Sequence, residues 1–157
     1  MKIYNLIVYI LRYFSIISTK YKVSKKINFG STFSNKFFLR NLRKSKFYLE
    51  YGSGSSTLLA KSINKDFISL ELDKSFYNYL KSKIKINQLK YFNIGPTKYF
   101  SFPILPYFLI KNKINIYYNF IKNISLEKKV IPDLILIDGR FRIYVCLCII
   151  KFLLIKK

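Results

Sequence analysis

Glu50, Gly52 and Gly54 alternate where an apolar run, a glycine turn and a hydroxyl cluster meet. Phe47-Tyr48-Leu49-Glu50-Tyr51 reads as a strand. Gly52-Ser53-Gly54 reads as a tight turn, and Ser55-Ser56-Thr57 as the start of a helix. That layout brings backbone N–H groups and a positive helix end up to a ligand. A dinucleotide fingerprint opens with a glycine where Glu50 stands and carries a third glycine later, where Ser56 stands here. A carboxylate facing the loop repels phosphate and attracts an amine, so the pattern points to a ligand with an ammonium group. The same glycines also suit an ordinary strand–helix turn that only needs positive φ.

The chain holds only seven acids, Glu50, Asp66, Glu71, Asp73, Glu127, Asp133 and Asp138. Four of them, Glu50, Glu71, Asp73 and Asp138, lie at or just past the ends of apolar runs, where an open α/β sheet lines its ligand crevice. Glu71 follows Gly54 by one helix and one strand, the place of an acid that accepts the two hydroxyls of a ribose. Asp73 is the alternative for that role, and capping of the next helix is the bland reading of the pair. Asp138-Gly139 ends a strand of buried composition, Asp133 to Gly139, and its carboxylate would face the same crevice as a base or an orienting group. A plain Asp-Gly bend explains it too. Arg140 and Arg142 follow, suited to bidentate grip on a carboxylate or phosphate, or simply solvated.

No histidine is present, so triads, Cys-His dyads and histidine metal centres are excluded. Cys146 and Cys148 are too close for an easy disulfide and lack partners for a metal site. They read as buried, reduced thiols, as in a cytoplasmic protein. The 29 Lys+Arg residues give a net charge of +22, which attracts nucleic acid or anionic membranes non-specifically. Compositional drift towards Lys, Ile, Asn, Phe and Tyr explains the same surplus, because the basic residues are scattered.

These residues need elements to hold them. Met1 to Tyr21 contains an apolar segment, Ile3 to Ile17, read as an amphipathic helix over the domain or, alternatively, on a membrane surface. Residues 1–45 read as a basic helical segment, a linker or lid with a short helix after Ser34. Residues 46–157 read as the main domain. Its pattern is a strand at Phe47–Tyr51, a helix at Ser55–Ile63, a strand at Phe67–Asp73, a helix at Ser75–Ile86 and a strand at Leu89–Ile94. One helix over Tyr107–Ile124, a strand at Asp133–Gly139 and a helix from Phe141 follow. Strands alternating with helices predict a Rossmann-like α/β fold with a mostly parallel sheet of about four strands.

Three segments carry a resemblance. Leu49-Glu50-Tyr51-Gly52-Ser53-Gly54-Ser55-Ser56-Thr57, Ile94-Gly95-Pro96-Thr97 and Asp133-Leu134-Ile135-Leu136-Ile137-Asp138-Gly139-Arg140-Phe141-Arg142 resemble the class I S-adenosylmethionine-dependent methyltransferases, within them a group of short bacterial methyltransferase-like proteins. The resemblance implies S-adenosylmethionine as cofactor. Glu50, Gly52, Ser53 and Gly54 would approach its amino-acid part, Glu71 its ribose and Asn93 with Ile94 its adenine. Asp138 would face the methyl group and the acceptor, with Arg140 and Arg142 towards the substrate. No metal is implied. Ser55 stands where the group commonly has glycine. Such folds continue past the helix after the fourth strand, so the resemblance implies later strands that are missing here: a truncated relative, one whose sheet a partner chain completes, or a complete and inactive one.

Two functions follow as expectations. One is a methyltransferase-like protein acting on a small-molecule acceptor. The other is a non-catalytic basic module on nucleic acid or a membrane surface, its many Tyr and Phe residues stacking on bases. The expected location is cytoplasmic, with a membrane-peripheral position as the alternative.

Overall fold

The computed structural model describes residues 23–24, 26–84, 87–98 and 101–155. The helix expected within Met1–Tyr21 lies outside them. The described chain runs α1 (Thr32–Lys44), β1 (Phe47–Tyr51), α2 (Ser55–Ser62), β2 (Asp66–Glu71), α3 (Lys74–Lys81) and β3 (Leu89–Tyr91). It continues with β4 (Thr97–Lys98), β5 (Phe102–Pro103), α4 (Tyr107–Tyr118), α5 (Phe120–Lys128), β6 (Leu134–Ile137) and α6 (Arg142–Ile155).

Four strands form one parallel sheet in the order β3-β2-β1-β6. All five residues of β1 are buried, as a parallel strand covered on both faces requires. Its side chains divide with period two. Phe47, Leu49 and Tyr51 join Ile68, Leu70, Ile114, Tyr117 and Val145 in one core beneath α4, α5 and α6. Tyr48 joins Phe67, Phe38, Leu42, Ala60 and Leu80 in a second core beneath α1, α2 and α3. The strand start is set by Asp133, whose carboxylate accepts from the N–H groups of Lys46 (2.7 Å) and Phe47 (3.0 Å).

Several boundaries depart from the sequence expectations. The helix expected over Tyr107–Ile124 is two helices, broken at Asn119, whose side-chain amide donates to the carbonyl of Asn115 at 2.9 Å. The region after Gly95 adds an antiparallel pair, β4 with β5, which accommodates Pro103 because a two-residue edge ladder spares its missing N–H. The second strand stops at Glu71 because Asp73 caps α3, accepting from Phe76 N at 2.9 Å. β6 is one of the two edges of the sheet among the described strands. On α6 only Val145 and Ile149 are buried, while Ile143, Leu147 and Leu154 are exposed. Cys146 is therefore exposed, a correction to the expectation of two buried thiols: α6 is apolar on every side, and Cys146 lies on a side that no described element covers. Both cysteines are free.

Candidate functional site

The C-terminal ends of β1, β2 and β6 meet in one cavity of about 770 Å³, within the usual range for a small-molecule site. Its walls are the loop Gly52–Ser55, Glu71 with Asp73, Ser101, Phe76, the start of the described chain at Val23 and the turn Asp138–Arg142. This is the crevice where an open parallel sheet takes its ligands.

Glu71 forms the polar centre. It is 3% exposed. Its Oε1 accepts from the N–H groups of Leu72 and Asp73, both at 2.8 Å, and from Ser101 Oγ at 2.9 Å. Its Oε2 accepts from Ser53 N at 3.2 Å. Three of the four donors crowd on Oε1 and one reaches Oε2, so Oε2 keeps an open lone pair. Burial disfavours the charged form and pushes the carboxyl up to about 7, while the bonds from Asp73, Ser101 and Leu72 pull it back. Three of the donors are backbone groups fixed by the fold. The fourth, Ser101 Oγ, is a side-chain group on a residue in the left-handed region (φ 60°).

The glycine loop is locked from below. Gly52 has φ 97° and donates its N–H to Leu70 O at 2.9 Å. A side chain there would not enter the cavity, since its Cβ would stand 2.4 Å from the Cα and N of Gly139. Gly54 is extended, at φ −176°, and its Cβ would meet nothing within 4 Å. Its N–H donates to Thr57 Oγ1 at 2.8 Å and so starts α2.

Glu50 does not line the cavity. The pleat turns its fully buried carboxylate beneath the loop, beside Ser69, its register partner on β2. The hydroxyls of Ser56 and Thr57 donate to its two oxygens, and Ser69 Oγ donates to Oε2 at 2.7 Å. Burial raises its pKa and these hydroxyls oppose the rise. The sequence reading placed this acid against a ligand ammonium. The structure gives it another task, clamping the first turn of α2 to β1 and β2. Its period-two neighbourhood with Tyr48, Phe67 and Ser69 contained the signal.

Asn93 also stays outside the cavity walls. It is exposed, and its Oδ1 accepts from Gly95 N at 3.0 Å in a local turn. Asp138 is at the cavity wall, but its carboxylate pairs with Arg142 at 2.8 Å. Arg142 further donates to the carbonyls of Gly139 and Asp138, both at 3.2 Å, so it braces the β6–α6 turn. Arg140 lies over the Phe102 ring, 5.1 Å from its centroid. Glu71, Ser53, Gly52, Gly54, Asp138, Arg140 and Arg142 are thus brought together, and Glu50 and Asn93 are not. Ser101, Phe76 and Phe141 line the cavity without having been singled out in the sequence.

The arrangement is a pocket with a buried hydroxyl acceptor, a glycine loop pressed against the neighbouring turn and one neutralised acid at its wall. The fold is similar to the crystal structure of a methyltransferase-like protein from Silicibacter pomeroyi DSS-3. The match has a TM-score of 0.60 at 24% identity and covers 80% of this chain and 68% of that one. No family model and no curated protein matches the chain. The four-stranded parallel sheet with flanking helices is a Rossmann-like, methyltransferase-like fold.

Proposed function

We propose that the cavity binds S-adenosylmethionine and that the chain is a methyltransferase acting on a small-molecule acceptor. The observation that carries this reading is the Glu71 carboxylate, buried at the end of β2 beside the glycine loop and held by donors that leave one exchangeable position. A ribose hydroxyl takes the position that Ser101 Oγ fills. The cavity volume suits a nucleoside carrying an amino-acid tail. Ser53, Gly54 and Ser55, at the start of α2, line the same cavity, and the tail would lie against them.

The cofactor supplies an electrophilic methyl group. This chain supplies position. Asp138 and Arg140 line the same cavity, and the acceptor would meet them there. The Asp138–Arg142 pair keeps that wall nearly neutral, so Arg140 is the cation best placed to hold an anionic group on the acceptor. Rate then comes from orientation of the acceptor within the cavity.

Calorimetric titration with S-adenosylhomocysteine tests the reading, with ATP as an anionic control. The product carries no net charge, so a protein of +22 gains nothing from long-range attraction to it. Micromolar binding that is insensitive to salt is the expected result. No binding of S-adenosylhomocysteine, with salt-sensitive uptake of ATP, overturns it and favours a basic module that holds anions by charge alone.

A further inference from the structure

We infer that the outer face of α1 is a docking surface for anionic lipid membranes. Helical spacing puts Phe33, Lys36, Phe37, Arg40 and Lys44 on one side, opposite the buried Phe38 and Leu42. Phe33 is 76% exposed and Phe37 62%. Lys36, Arg40, Arg43 and Lys44 are exposed too, and α1 contains no acid. A single exposed ring is ordinary. Two neighbouring exposed rings flanked by four cations offer apolar groups to the acyl boundary and cations to the headgroups, on the face of α1 opposite the core.

Phe33 and Phe37 lie side by side about one helical turn apart, centroids 6.4 Å apart and planes 22° from parallel, and form one contiguous apolar patch. An acyl boundary accepts such a compact hydrocarbon wedge, and the flanking cations suit anionic headgroups. The helix is held rigidly for this task. Ser31 caps it through Ser34 N at 3.0 Å, Asn35 accepts from Phe29 N at 2.8 Å, and Phe38 packs edge-on against Phe29 and Tyr48. No helix among the described residues is long and apolar enough to cross a membrane.

The chain has no tryptophan, which makes a reporter simple. Phe33→Trp in the full chain is mixed with vesicles of phosphatidylcholine, with and without phosphatidylserine. With phosphatidylserine the emission shifts to the blue and is quenched by lipids brominated on the acyl chains. Leu126→Trp, exposed on α5 beside Glu127, shows neither change. Adding Lys36→Glu and Arg40→Glu to the Phe33→Trp chain weakens partitioning by about tenfold or more. Lys111→Glu with Lys122→Glu, an equal change of net charge, leaves it within about twofold. The inference is overturned by an unquenched Phe33→Trp reporter, by equal quenching at both sites, or by equal losses from the two charge-reversed pairs. It is also overturned by emission already blue and shielded without vesicles, since the chain itself would then cover the face. Quenching of the Phe33→Trp reporter by single-stranded RNA and not by vesicles overturns it in favour of nucleic acid.

Discussion

Gly52 and Gly139 stand back to back, so close that a Cβ on Gly52 would lie 2.4 Å from the Gly139 Cα. The two turns at the ends of β1 and β6 are pressed together there. Asp138 N and Gly139 N both donate to Tyr51 O, at 2.8 and 2.6 Å. Backbone meets backbone at this point, and neither turn can yield by a rotamer change.

Gly52→Ala therefore damages the fold before it reaches the ligand. A residue at φ 97° is strained by itself, and the overlap with Gly139 must move a turn. The expected loss is at least about 2 kcal/mol in urea unfolding, accompanied by loss of S-adenosylhomocysteine binding. Gly54→Ala is the contrast, since its Cβ has open space and its backbone is extended. It keeps wild-type stability and weakens binding only. Equal stability losses in the two variants would remove this account of the loop.

The Glu71 carboxyl, pushed up to about 7 from an ordinary 4.5, makes stability depend on pH. A folded-state pKa above the unfolded one means the folded protein holds its proton longer. The stabilisation is complete below 4.5 and is lost as pH rises through about 7, amounting to at most about 3 kcal/mol. Glu71→Gln flattens the fall in unfolding free energy between about pH 5 and pH 8. An unchanged slope in the variant would assign the effect elsewhere, with the buried Glu50 as the next candidate.

The proposed cofactor binding would run the other way. Ribose hydroxyls donate, so they prefer the ionised Glu71 carboxylate. Affinity for S-adenosylhomocysteine rises from about pH 6 to about pH 8, as read by calorimetry. Ser101→Ala removes the hydroxyl that competes for Oε1 and tightens binding by about fivefold, the worth of one modest hydrogen bond. Weaker binding in Ser101→Ala would make Ser101 a ligand contact instead of a competitor.

Tyr117→Phe stabilises the protein by about 1 kcal/mol in thermal or urea unfolding. Tyr117 is 1% exposed, and its hydroxyl has no hydrogen-bond partner among the described residues. The ring keeps its edge-on contacts with Tyr51 and Phe92 without the hydroxyl. A destabilised variant would show that the hydroxyl is satisfied in solution, by a buried water.

The sequence by itself determined the parallel α/β sheet, because short apolar runs alternate with segments of helical period and glycine ends the first strand. It also located Glu71, whose type and distance from the glycine loop needed only one helix and one strand between them. Tertiary structure decided which acids line the cavity. Glu50 and Glu71 both lie at strand ends, yet the Glu50 carboxylate is roofed by the first turn of α2 and Glu71 lines the cavity. One-dimensional spacing does not contain that difference, since it depends on where Ser56, Thr57 and Ser69 converge. Arg142 was equally ambiguous as a substrate grip or a solvated charge, until the β6–α6 turn brought it onto Asp138 at 2.8 Å. Ser101 could not be read at all. Its contact with Glu71 spans 30 residues and a short hairpin, and long-range closure of that kind is set by packing and not by local residue pattern.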